Sequence, residues 1–194
     1  MAVQQFAVER LPAMPWKNGG GVTREIVCVP AGAGLDEFDW RVSIATIAAS
    51  GPFSAFPGID RVITLLQGGG VHLRSRDGAI DHRLDTPLAP FAFPGEAVID
   101  AQLLAGECRD LNVMTRRGRC RAQVLVQRVA GELASSHAGV LLAVGGRWHA
   151  ASEHGAHDLA AGEGLWWQAE HAAWRLRPNT TDAALIAIQL ESST

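Results

Sequence analysis

The sequence has no apolar run near the ~20 residues that a helix needs to span a bilayer. Its first residues, MAVQQFAVERLP, lack a basic start leading into an apolar stretch, so export is not expected. Cysteine is scarce. Cys28, Cys108 and Cys120 are odd in number and widely spaced, which argues against a disulfide framework and for reduced thiols in the cytoplasm. A basic excess is missing as well. Seventeen Lys and Arg against twenty Asp and Glu leave a net charge of −3, giving no electrostatic reason to expect nucleic acid or an anionic membrane as a partner. Apolar residues are plentiful, 47% of 194 positions against 19% charged, the composition of a globular protein able to bury a large core.

Twenty-one glycines and nine prolines interrupt short apolar runs about every ten residues, which predicts an all-β fold. Strands are expected at 21–29, 39–47, 61–67, 71–76, 79–84, 90–93, 97–103 and 110–115, and again at 122–129, 139–146, 164–169, 172–178 and 183–190. Residues 148–160 are left between a short helix and a loop. Two β-units are expected, 1–118 carrying a ligand pocket and a smaller 119–194 packed on it. Asp77-Gly78 is a two-residue hairpin signal, placing Arg74 opposite Asp81 and His72 opposite Arg83.

The stretch PWKNGGGVTREI (15–26) sets a lysine beside a glycine triplet but is not a phosphate loop. Lys17 precedes the glycines, no Ser or Thr follows it, and a strand pattern comes where a helix should begin. The glycines suit a tight turn entering the strand. Beyond it, Arg24 alternates with apolar Val22 and Ile26, and a buried guanidinium must be paired. Arg41, Ser43 and Ala45 form a narrow, partly polar row opposite Trp40, Val42 and Ile44. Asn112 and Met114 separate from Leu111 and Val113 in the same way. Turned inward, Arg24, Arg41, Ser43, Asn112 and Met114 would line a cavity for a small carboxylate.

A metal centre requires clustered His and carboxylate ligands. No H-x-H occurs, and the hairpin register puts His72 on a solvated face. The remaining cluster, WHAASEHGAHD (148–158), reads as a polar surface segment. No G-x-S-x-G elbow is present, and no cysteine lies near a His in sequence, so nucleophilic catalysis finds no support. No cofactor and no metal are expected.

PWKNGGGVTREI, WRVSIATIAASGPFSAFPGIDRVITLLQG, FAFPGE and DLNVM, in that order across residues 14–116, resemble the HutD/Ves family. Farther on, only the β pattern and LAAGEGL match. The resemblance implies a cupin-type double-stranded β-helix, a bicupin, in a bacterial cytoplasmic protein accessory to histidine utilisation. FPGE is similar to a turn of metal-binding cupins, but the His expected after it is replaced by Ala97, Val98 and Ile99. Carried over by motif, Trp16, Lys17, Asn18, Arg24, Arg41, Ser43, Arg61 and Asn112 become ligand candidates, with Met114 beside them. The function expected is metal-free binding of a small anionic metabolite of the urocanate, formylglutamate or formate type, more as regulator than enzyme. The alternatives are a cupin isomerase or hydrolase acting on a histidine-degradation intermediate, and a protein–protein adaptor using the Trp-rich second unit. A homodimer is left open.

Overall fold

The computed structural model describes residues 3–34, 37–169 and 171–193. They form nineteen strands and one 3-10 turn, Val8–Arg10, with no α-helix among the described residues. No helix there is long and apolar enough to cross a membrane. The chain divides into two compact units. One spans Pro12–Arg119, and the other joins the segment before Pro12 to the segment from Cys120 onward.

That division differs from the sequence expectation at the start of the chain. β1 (Gln4–Ala7) pairs antiparallel with Glu163–Trp166 of the C-terminal half. The reason is an open sheet edge. Backbone N–H and C=O groups along that edge need partners, and the first strand supplies them.

The N-terminal unit is built from two antiparallel sheets. The larger has the order β2-β3-β4-β11-β6-β9. Its strands are β2 (Ala13–Pro15), β3 (Gly21–Val29), β4 (Trp40–Ile47), β6 (Ile59–Gly68), β9 (Pro90–Pro94) and β11 (Cys108–Arg116). The smaller, in the order β5-β10-β7-β8, contains β5 (Gly51–Pro52), β7 (Val71–Ser75), β8 (Asp81–Leu84) and β10 (Ile99–Leu103). Ile47, Ile63, Leu65 and Phe93 of the first meet Val71, Leu73, Leu84 and Ile99 of the second in one buried core. Each such apolar side chain contributes about 1.5–3 kcal/mol when fully buried. The hairpin at Asp77-Gly78 has the expected register, with Arg74 opposite Asp81 and His72 opposite Arg83. Gly78 takes a positive φ of 75° there, and Asp77 Oδ1 accepts from Ser75 Oγ and the Ala79 N–H.

The C-terminal unit repeats the two-sheet plan. One sheet has the order β1-β17-β14-β19-β12, from β12 (Cys120–Gln127), β14 (Ala138–Gly145), β17 (Glu163–Trp167) and β19 (Ala184–Ser192). The other has the order β13-β18-β15-β16, from β13 (Gly131–Ser136), β15 (Arg147–Ser152), β16 (Gly155–Ala160) and β18 (Ala172–Pro178). Trp148, Trp167 and Trp174 fill the core between them. Residues 148–160 are therefore neither helix nor loop. They belong to the hairpin β15–β16, closing between Ser152 and Gly155.

Candidate ligand site in the N-terminal unit

Three neighbouring strands of the large sheet carry the polar residues that alternation singles out. On β11, Asn112 lies opposite Ser43 of β4 and Ile63 of β6, while Met114 lies opposite Arg41 and Arg61. Side chains directly opposite share a face. Arg41, Ser43, Arg61, Asn112 and Met114 therefore gather on one side of the sheet, the side bearing the core residues Ile47, Ile63 and Leu65.

Both arginines are buried, Arg41 at 8% and Arg61 at 6% exposure, and they are held differently. Arg41 Nε donates to Glu25 Oε2 at 2.7 Å, and its Nη1 reaches Met114 Sδ at 4.0 Å. Arg61 has only uncharged acceptors, the Asn112 amide oxygen and the Ser54 carbonyl, each at 3.4 Å. Its guanidinium sits 4.9 Å from the Phe93 ring centre and 5.5 Å from those of Phe53 and Phe56. Cation–π attraction strengthens in such a desolvated setting. Burial lowers the Arg61 pKa to about 10, with Asp110 working in the opposite sense, so the group stays cationic at neutral pH.

Asp110 is one alternation step beyond Asn112 on the same face, opposite Ala45 and Leu65. It is 2% exposed, and neither carboxyl oxygen has a hydrogen-bond partner. Burial pushes its pKa up to about 7, against the pull of Arg61. An ionised, unpartnered carboxylate in a dry interior is costly, which is why the shift is upward.

The other candidates lie elsewhere. The Trp16 indole donates to Thr23 Oγ1 at 2.8 Å, and the ring rests against the core. Lys17 and Asn18 are exposed in the turn before β3, where Asn18 Oδ1 takes the Gly20 N–H at 3.0 Å. The glycines are explained locally. Gly19 has φ 71°, and a Cβ on Gly21 would stand 2.3 Å from the Thr46 carbonyl oxygen and 3.2 Å from the Trp16 ring. Gly21→Ala is accordingly expected to cost about 1–3 kcal/mol, the range for overpacking. Urea denaturation checks this, and an unchanged midpoint would mean that the turn relaxes freely.

Arg24 is a correction. It pairs with Ile44, which alternates with Ser43, so it lies on the opposite side of the sheet from Arg41. Arg24 shares the row of Val22, and it is the alternate row of Thr23 and Glu25 that faces the side of Ser43 and Arg41. The register shifts at a β-bulge between Glu25 and Val27, and the extra residue reverses the parity of the residues after it. Cys28, not Arg24, thus lies across from Arg41, and Glu25 lies across from Ser43. Glu25 and Asp110 were absent from the sequence-derived set, although simple alternation in TREI and DLNVM put both on the polar rows. The phenylalanines around Arg61 gave no such signal, since Phe53, Phe56 and Phe93 meet only through folding.

Neither inner thiol is poised for nucleophilic attack. Burial pushes Cys108 up to about 11, aided by Asp110, and raises Cys28 as well. His149 contacts Asp158, His154 the His171 carbonyl, and His157 the Gln5 amide, while the His137 and His171 rings lie 5.5 Å apart. Among the described residues no three His, Cys, Asp or Glu side chains are grouped to hold a metal ion. These side chains do not fit the ion that some cupins carry.

The model of the HutD family matches residues 8–186 of this chain. The chain belongs to the HutD family. Protein Ves of Citrobacter koseri is 40% identical over 178 residues, covering 91% of this chain and 89% of the relative. Protein Ves of Escherichia fergusonii is 39% identical over 170 residues, covering 87% and 85%. Among solved structures, a conserved protein of unknown function from Pseudomonas aeruginosa PAO1 superposes with TM-score 0.88 at 35% identity, covering 99% of this chain and all of the other. HutD from Pseudomonas fluorescens SBW25, solved in a formate condition, gives 0.83 at 30% identity with both chains fully covered. Oxalate decarboxylase from Bacillus subtilis, at 8% identity and TM-score 0.63, shares the fold alone. This HutD-family chain is an all-β cupin-type jelly roll; the sequence pattern predicts the all-β class, and the family resemblance implies the cupin type.

Proposed function

We propose that this HutD-family protein binds a small carboxylate metabolite against Arg61, Asn112 and Arg41 and modulates histidine utilisation through that occupancy, without turning the ligand over. The observation that carries this reading is Arg61. A buried guanidinium boxed by three phenylalanines, hydrogen-bonded only to neutral oxygens, supports the reading of an anion site. Asn112, which accepts from Arg61, and Ser43 opposite Asn112 would orient the ligand, and Met114 lies between the two arginine positions. Urocanate, formylglutamate and formate are the candidates that the family's association with histidine breakdown suggests. The formate condition of the Pseudomonas fluorescens HutD structure is compatible with that class.

Calorimetric titration of the protein with sodium formate and with urocanate tests the reading. Binding in the micromolar to millimolar range is expected, since two or three charge-assisted contacts at about 1.5–3 kcal/mol each suffice for it. Arg41→Ala is expected to weaken binding at least ~10-fold while retaining a cooperative melt. An unaltered titration would remove Arg41 from the site.

A further inference from the structure

The carboxyls of the cluster restrict what charge the site accepts. Arg41 is already engaged by Glu25 at 2.7 Å. Arg61 is not hydrogen-bonded to any carboxylate, and Asp110 feels it only through space. An arriving carboxylate would claim Arg61 and bring a second negative charge close to a buried Asp110 whose oxygens are unpartnered. Two carboxylates so placed in a dry site cannot both stay ionised. As the acid, Asp110 has an O–H to donate to the anion, which gives its carboxyl the partner it lacks.

We propose that the site takes one negative charge together with one proton: a monocarboxylate binds against Arg61 while Asp110 holds the accompanying proton as a carboxylic acid. This rests on the anion-binding reading above and goes beyond it in fixing ligand charge and the proton's location. The proton comes from solvent and stays on an Asp110 oxygen, and no covalent bond of the ligand changes. A dicarboxylate, formylglutamate among the candidates above, is disfavoured, because Arg41, whose charge Glu25 already shares, has no full second charge to offer it. The titratable and charged groups on the same face are Arg61 of β6, Arg41 of β4, Glu25 and Cys28 of β3, and Cys108 and Arg116 of β11, the last at the far end of its strand with Nε donating to the Phe38 carbonyl at 2.8 Å. From the facing sheet His82 of β8 stands opposite the core residue Leu73 and stacks on Phe91 at 3.7 Å. The thiols are held neutral by their raised pKa values. Glu25 is tied to Arg41, which leaves Asp110 as the carboxyl to accept the proton. Its pKa of about 7 in the unliganded protein places the effect within reach of ordinary buffers.

The test is titration of the wild-type protein with formate, acetate and malonate at pH 5.5 and pH 8, in buffers of different ionisation enthalpy. Expected are uptake approaching one proton per acetate at pH 8 and little at pH 5.5, with affinity falling about tenfold per unit above pH 7.5. Malonate is expected to bind at least ~10-fold more weakly than acetate. Asp110→Asn is expected to abolish both the proton uptake and the pH dependence. If that variant does not fold, the wild-type proton count decides alone. Acetate or formate bound without proton uptake, or malonate bound as tightly, would overturn the proton-linked monoanion site and leave the anion site standing. Failure of all three carboxylates to bind would overturn both.

Discussion

An Arg61→Met variant is expected to lose carboxylate affinity by at least ~100-fold while still unfolding in one cooperative step. The Met side chain keeps much of the length and volume of the arginine stem and makes favourable sulfur–aromatic contacts. It can therefore fill the space among Phe53, Phe56 and Phe93 without leaving a large void. What it removes is the cation. Two charge-assisted contacts to a bound carboxylate, at about 1.5–3 kcal/mol each, amount to two or more orders of magnitude in affinity. Titration with formate beside a thermal melt separates the outcomes. A folded variant that binds within about threefold of wild type would show that Arg61 is a structural cation and not the ligand's anchor.

Replacement of Asp110 by Asn is expected to change stability in a pH-dependent way that few buried substitutions produce. The folded carboxyl titrates at about 7 and the ordinary value is 3.8, so the folded state binds the proton more tightly than the unfolded state does. Below 3.8 both states are protonated and Asp110 costs nothing electrostatically. As pH rises from there to about 7 the unfolded carboxyl ionises while the folded one resists, and stability falls. At about 1.36 kcal/mol per pH unit, the accumulated loss is on the order of 4 kcal/mol above pH 7. Asn carries no such penalty. The stability of Asp110→Asn relative to wild type should therefore rise from pH 4 to pH 7 and level off beyond it. Urea midpoints across pH 4–8.5 measure this, and a constant difference would mean that the native carboxyl ionises as readily as the unfolded one.

The outline of this protein is written in its period-two alternation. WRVSIATI and DLNVM separate polar from apolar rows, and the structure keeps that separation, with Ser43 opposite Asn112 and Arg41 opposite Met114. Alternation fails where a strand gains a residue. The bulge before Val27 cannot be seen in TREIVC, and it moves Cys28 to the side that parity alone would deny it. Asp110 was legible in principle, two residues from Asn112, but its consequence was not. Its unpartnered state depends on what lies across the sheet, Ala45 on one side and Leu65 on the other, neither able to donate a hydrogen bond from its side chain. The box around Arg61 joins residues 53, 56, 61 and 93 and becomes visible only when β6 and β9 are aligned. Lys17 and Asn18 mislead for the opposite reason. A conspicuous motif, WKNGGG, turns out to shape a turn whose Gly21 must pass close to Thr46.

The pairing of β1 with β17 bears on how the polypeptide is made. Gln4–Ala7 leave the ribosome more than 150 positions ahead of Glu163–Trp166, the residues they hydrogen-bond. Throughout that interval the leading segment has no mate, and translation must run almost to the last strand before it is zipped into place. A gene fragment beginning at Cys120 would carry the bulk of that β-layer yet leave β17 bare along one side, a template for strand addition by any neighbouring polypeptide.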